Sequence, residues 1–220
     1  MKKILVTLTA AGLLLANICS AQETSTTTKT DVREKLKFGL KIGGNYSNVY
    51  DAQGEAFVAD PKFGLALGAF IALPLGTYIG IQPEILYSQK GFKATGVLLG
   101  NPYKFTRTTS YIDVPVYLAL KPTSFINILV GPQYSYLVKQ KDEFANTTTS
   151  IEQEKEFAAD NIRKNIFGIS LGADINMNHL TIGGRLGWDV MTNNGDGSST
   201  TPRYKNSWYQ VTLGYRFYND

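Results

Sequence analysis

The chain has little cysteine or histidine, with one of each in 220 residues. The cysteine, Cys19, falls in an N-terminal stretch with the marks of an export signal: Lys2 and Lys3, an apolar run from Ile4 to Ile18, and small residues at Cys19-Ser20-Ala21. Cleavage between Ala21 and Gln22 is expected, and it leaves a chain without a thiol. Disulfide staples, thiolate metal sites and a cysteine nucleophile are thereby excluded. A lipoprotein reading of Cys19 is disfavoured by Ile18, a bulky residue just before the cysteine where a small one is needed.

Beyond the leader there is no run of about 18 apolar residues, so a helical membrane span is not expected. Charged residues are also scarce, at 18%. Removing the leader takes away two lysines and leaves 20 basic residues against 18 acidic ones, so the high isoelectric point gives no reason to expect a nucleic-acid partner. The lone histidine, His179, sits in a short segment of turn formers. No serine or carboxylate is fixed beside it by spacing, so it reads as an exposed turn residue rather than a catalytic base. Asn193-Asn194-Gly195-Asp196-Gly197 lacks the alternating oxygen ligands and later glutamate of a calcium loop, and reads as a flexible loop. Asn146-Thr147-Thr148 matches a glycosylation sequon, to which little weight is given. No catalytic residue, metal or cofactor is expected.

Aromatic residues and glycine are plentiful: 13 Tyr, 11 Phe and 21 Gly. They come with a two-residue rhythm. From Ser207 to Phe217, Tyr209, Val211, Leu213, Tyr215 and Phe217 alternate with Trp208, Gln210, Thr212, Gly214 and Arg216, so one face suits lipid and the other water. Seven more segments repeat the pattern, starting near Lys37, Phe63, Tyr78, Ser110, Phe125, Asn165 and Leu180. Three connections are tight: Pro74 to Thr77, Pro122 to Ser124 and Asn176 to His179. Four are long: Ser47 to Lys62, Gly91 to Thr109, Gln140 to Lys164 and Asn193 to Asn206.

The expected fold is therefore all-β: an eight-stranded antiparallel up-and-down transmembrane β-barrel, with short turns and both termini on the periplasmic side. The expected organisation is a signal peptide at 1–21, a flexible periplasmic lead-in at 22–36 and the barrel at 37–220. The outward face carries no charge in any of the eight segments, as a bilayer demands where a midplane charge costs roughly 2–4 kcal/mol. A soluble barrel of the lipocalin kind would put those apolar residues inside. Tyr46, Tyr87, Tyr134, Tyr136 and Trp188 fall toward the long loops, and Phe38, Tyr215 and Phe217 toward the short turns, giving two aromatic girdles. Pro83, Pro115 and Pro132 lie inside strands and should mark bulges or register shifts.

The inward set places Lys41, Lys121, Arg185 and Arg216 against Glu84, Asp113, Asp174 and Asp189. Charges in so narrow a lumen must be paired, so a neutral structural plug is expected, with Glu84 and Arg185 meeting near the axis. An ion or proton path along the same groups is the alternative. The long segments 91–109 and 140–164 are the expected contact surfaces for a protein partner, with Val97, Leu98, Leu99, Tyr103 and Phe105 exposed. A short helix over Ile151 to Ala159 is one reading of the second.

Phe38 to Asn45 in the first strand, Pro83 to Gly91 in the third, Tyr111 to Pro115 in the fourth, Gly131-Pro132 in the fifth and the closing Gly214 to Phe217 appear in an order that resembles the PorT-like outer-membrane β-barrel family of Bacteroidota-type Gram-negative bacteria. The resemblance covers Lys37 to Phe217 and implies an outer-membrane, eight-stranded barrel. The member that names the family is associated with protein secretion and gliding, but the family implies no single activity. Together these readings point to a monomeric, non-enzymatic membrane protein whose constant partner is outer-membrane lipid. It would be a structural or interaction protein acting through its outer loops, with a narrow channel or a component of a transport or secretion apparatus as the alternative.

Overall fold

The computed structural model describes residues 31–50, 59–98, 101–146, 150–155, 162–193 and 204–218. The signal peptide, its Ala21/Gln22 cleavage site, and most of the sequon and calcium-like segment lie outside the described residues. So do Leu99 and residues 156–159.

Among the described residues nine strands form: β1 (Lys37–Tyr50), β2 (Asp60–Pro74), β3 (Ile79–Leu98), β4 (Asn101–Leu120), β5 (Ile126–Asn146), β6 (Ser150–Lys155), β7 (Asn165–Met177), β8 (Leu180–Asp189) and β9 (Lys205–Phe217). All but β6 belong to a closed antiparallel ring in the order β1-β2-β3-β4-β5-β7-β8-β9, sealed by β9 against β1 through Phe38↔Phe217 and Tyr50↔Lys205. Closure satisfies backbone groups that lipid cannot. The ring therefore has eight strands, as the alternation requires.

The residues assigned outward are exposed or half-buried throughout: Ile42 is 54% exposed, Ile85 56% and Val211 64%. The inward residues beside them are mostly buried, the exceptions being half-buried small residues such as Gly43, Gly64 and Gly68 and the half-buried Asn127. Tyr46 packs on Phe63 and Tyr134 on Phe167 at the outer level, and Phe38 on Phe217 at the periplasmic level, so the girdles are built of cross-strand pairs.

The prolines do not shift the register. Pro83 pairs with Val116 and Leu86 with Asp113 in one continuous phase; Pro115 with Gln133 and Leu118 with Val130 are likewise in phase. Pairing only lapses between those positions, so the missing donors cost local hydrogen bonds without displacing the strands. The real irregularities lie between Pro61 and Ala66 and between Ser110 and Tyr111, nearer the outer rim.

The long segments also differ from expectation. β3 and β4 run on as a hairpin to Leu98 and Asn101, and β5 and β6 pair from Gln140↔Lys155 to Ala145↔Ser150. Ile151 to Lys155 is thus strand, not helix. Tyr103 and Phe105 are half-buried rather than exposed, because Tyr103 stacks on Phe144 at 5.5 Å and Phe105 packs on Phe92 at 5.9 Å.

Gly91, in β3, has φ +143°, and a Cβ there would lie 2.0 Å from the Arg107 carbonyl oxygen on β4. Its N–H donates to Ser47 Oγ at 2.9 Å, and that hydroxyl donates back to the Gly91 carbonyl at 3.0 Å. Gly91→Val should destabilise the barrel by about 1–3 kcal/mol from backbone strain alone. Urea unfolding in lipid vesicles measures it, with Gly76→Val in an open periplasmic turn as the control expected to cost less.

At the opposite end, the described part of the lead-in holds a 3-10 turn, Val32–Glu34, capped by the Asp31 side chain. The hydrogen bonds from Arg33 hold the Asp31 carboxyl down at about 2. This turn lies across the periplasmic mouth, where Lys121 Nζ donates to the Arg33 carbonyl at 2.7 Å.

Candidate functional site

Side chains from four strands meet inside the barrel. Lys41 (β1) reaches Glu84 (β3) at 2.6 Å, Arg185 (β8) reaches Asp174 (β7) at 2.7 Å, and the other Arg185 nitrogen lies 3.4 Å from Glu84. Gln82 donates to both carboxylates, at 2.9 Å to Glu84 and 3.3 Å to Asp174. The guanidinium lies 5.2 Å from the centre of the Tyr117 ring, and the Tyr117 hydroxyl meets Ser170 Oγ at 3.0 Å. Two cations thus face two carboxylates. Such an arrangement is tolerable in a buried interior because each charge is paired and also hydrogen-bonded.

A second layer lies nearer the outside. Lys90 pairs with Asp113 at 3.0 Å, and its ammonium sits 3.7 Å from the centre of the Trp208 ring and 5.0 Å from that of Tyr111. Asp189 accepts from the Asn206 amide side chain at 2.5 Å and from its backbone N–H at 3.2 Å. Between the layers, Asn45 donates to Ser88 Oγ and accepts from Gln210 Nε2, at 2.9 and 2.8 Å. Above them, Val49, Phe92, Ala94 and Tyr204 form an apolar cluster, and Tyr111, Leu137 and Ile166 form another.

Six of the eight residues expected in the lumen network therefore stand in these two layers. Lys121 and Arg216 do not join them. Both are buried at the periplasmic mouth, Lys121 on the carbonyls of Arg33 and Gly76, and Arg216 on the carbonyl of Asn178. His179 differs from expectation too. It is half-buried, its Nδ1 meets the Arg216 carbonyl at 2.8 Å, and its ring stacks on Tyr215 and Tyr218.

A sequence profile for the outer membrane protein beta-barrel domain matches residues 20–190. The chain belongs to that family. The protein is accordingly an outer-membrane β-barrel, and its exposed apolar belt faces lipid. Among solved structures it is similar to Ail, the attachment invasion locus protein of Yersinia pestis, at 12% identity and TM-score 0.47, covering 83% of this chain and 99% of that one. It is also similar to Neisserial surface protein A (8% identity, TM-score 0.47, covering 82% and 97%) and to OprG from Pseudomonas aeruginosa (14%, 0.40, 85% and 98%). No curated protein matches the sequence.

Within this barrel, sequence reasoning missed Lys90. Its parity follows directly from Glu84, Leu86 and Ser88, all buried. The signal was present, but it lay just short of the point where the strand was expected to end. Arg107 was also missed: it makes a two-bonded pair with Asp142, at 2.7 and 2.8 Å, that ties β4 to β5 outside the membrane layer.

Proposed function

We propose that this is a monomeric, non-enzymatic outer-membrane protein that binds a protein partner on the extracellular side through a rigid β-sheet rather than through loops. The observation that carries this reading is the continuation of β3, β4, β5 and β6 past the outer aromatic girdle as one paired sheet. Arg107–Asp142, Tyr103–Phe144 and the Phe92 cluster hold that sheet together, so a partner meets an ordered surface and little ordering entropy is lost on binding. Among the described residues its outer strand, β6, is paired on one side only, with β5, which suits recognition by strand addition.

The two lumen layers act as a structural plug. The Arg185 and Glu84 side chains are 1% and 0% exposed, which favours a plug over a conducting path. A monomer is favoured by ring closure, which leaves no free strand edge in the membrane. A catalytic role for His179 is disfavoured because Nδ1 is committed to a backbone carbonyl and the ring to two tyrosines. The motif order from Phe38 to Phe217 supports a place in the PorT-like branch. No secretion role is drawn from it, and neither nucleic acid nor a cofactor enters this reading.

Deleting 94–104 and 142–155 and closing each hairpin with a short turn should leave the heat-dependent gel shift intact while abolishing partner capture on intact cells. Capture that survives the deletion overturns the reading. The pure protein in planar bilayers should give no steady single-channel current, and a steady current would favour the channel alternative.

A further inference from the structure

We propose that the periplasmic mouth of the barrel is a binding site for a phosphate group, held by Lys37, Lys121, Arg216 and Asn176. These four residues come from β1, the β4–β5 turn, β9 and β7, and they line one cavity of about 20 Å³ at the level of the periplasmic turns. All four are almost fully buried, at 5–7% exposure. Three buried cations at one end of a lumen need a counter-charge. Among the described residues none of the three is ion-paired with a carboxylate. Asp174, which also lines the cavity, is already bound to Arg185 and Gln82.

The cations are held instead by backbone carbonyls, with Lys37 and Arg216 also 5.6 and 5.7 Å from the centre of the Tyr218 ring and Asp31 and Glu34 acting on the lysines only at longer range. Lys37 donates to Val32, Lys121 donates to Arg33 and Gly76, and one Arg216 terminal nitrogen donates to Asn178. These contacts fix the head groups in place and leave donor capacity over: an ammonium has three protons and a guanidinium five.

Two donors make the direct case for a ligand. Arg216 Nε and Asn176 Nδ2 are both buried and have no hydrogen-bond partner among the described residues. A buried orphan donor costs roughly 1–3 kcal/mol, and both belong to residues that line this cavity, so a small turn of the two side chains toward a bound oxyanion would recover that cost. The donor set selects the anion. Three positive charges and a neutral amide match a phosphate dianion with several acceptor oxygens better than a halide, which has one centre, or a carboxylate, which has one charge. The volume sets the limit. The cavity is small and partly open, so a compact anion group enters while the rest of any ester stays outside.

Inorganic phosphate and the phosphomonoester headgroup of a lipid share this chemistry. The test uses the full chain refolded in detergent in phosphate-free buffer, and follows the midpoint of the heat-dependent gel shift. Inorganic phosphate should raise the midpoint saturably, and chloride at equal ionic strength should not. In Asn176→Leu and in Lys121→Met the phosphate concentration giving half the effect should rise roughly tenfold or more. Asn176→Ser stands in if Asn176→Leu does not fold. If inorganic phosphate has no effect but nanodiscs containing phosphatidic acid stabilise the wild type over phosphatidylcholine alone, and Lys121→Met loses that difference, the lipid is the source. No stabilisation by either, equal stabilisation in the variants, or a response to polyglutamate but not phosphate overturns the proposal.

Discussion

Replacing Arg185 by Leu should lower the stability of the folded barrel by about 3–5 kcal/mol, the cost typical of breaking a buried ion pair from one side. The loss follows from what is left behind. Glu84 keeps Lys41 at 2.6 Å, but among the described residues Asp174 is left with only the Gln82 amide at 3.3 Å. A carboxylate in a lumen without a cation must either take up a proton or draw in water, and both cost stability. Equilibrium urea unfolding in lipid vesicles measures the effect. The decisive comparison is the double variant Arg185→Leu with Asp174→Leu, which removes one charge of each sign and leaves Lys41–Glu84 in place. It should be more stable than Arg185→Leu alone, because a neutral apolar pair fills the same space without an orphan charge. If the single variant is as stable as the wild type, or if the second substitution only adds to the damage, the interior charges are not a mutually neutralising plug.

How far the fold could be read from sequence depended on which solvent each strand face meets. Across the membrane the alternation has a fixed meaning: apolar residues face lipid, and polar residues face a packed interior. Ile42 out and Lys41 in, or Val211 out and Gln210 in, follow from period two alone. Above the outer girdle the meaning inverts. Phe92 and Ala94 point inward and are buried, at 2% and 8%, while Lys93 and Thr95 between and beyond them are exposed. Water is now outside and an apolar core inside, so the run of lipid-facing residues stops at Gly91 although the ladder continues. The bulge between Ser110 and Tyr111 compounds the problem by putting Val138 and Lys139 consecutively outward on β5. The lumen charges were legible as a set but not as contacts. Parity marks Lys121 and Arg216 as inward, yet their depth depends on which backbone carbonyls the turns present, and nothing in residue spacing encodes that.

Substituting Ile42 by Arg should cost about 2–4 kcal/mol, and the same substitution at Phe38 or Tyr46 on the same strand much less, about 0–1 kcal/mol. Ile42 is flanked by Leu67 on β2 and Leu213 on β9, both outward, and lies midway between Phe38 in the periplasmic girdle and Tyr46 in the outer one. An arginine at that depth cannot extend its head group to either interface without dragging charge through hydrocarbon, whereas one beside Phe38 or Tyr46 needs only a short reach to water. Lost side-chain packing does not explain such a gradient, since all three positions are similarly exposed, at 54, 44 and 41%. Depth in the bilayer is the variable that separates them. Urea unfolding in vesicles, repeated in detergent micelles, isolates it: the midplane penalty should shrink in micelles, where head groups and water come closer to the belt. Equal penalties at Phe38, Ile42 and Tyr46 in vesicles would mean that the belt does not sit in a hydrocarbon layer, and the outward apolar face would need another explanation.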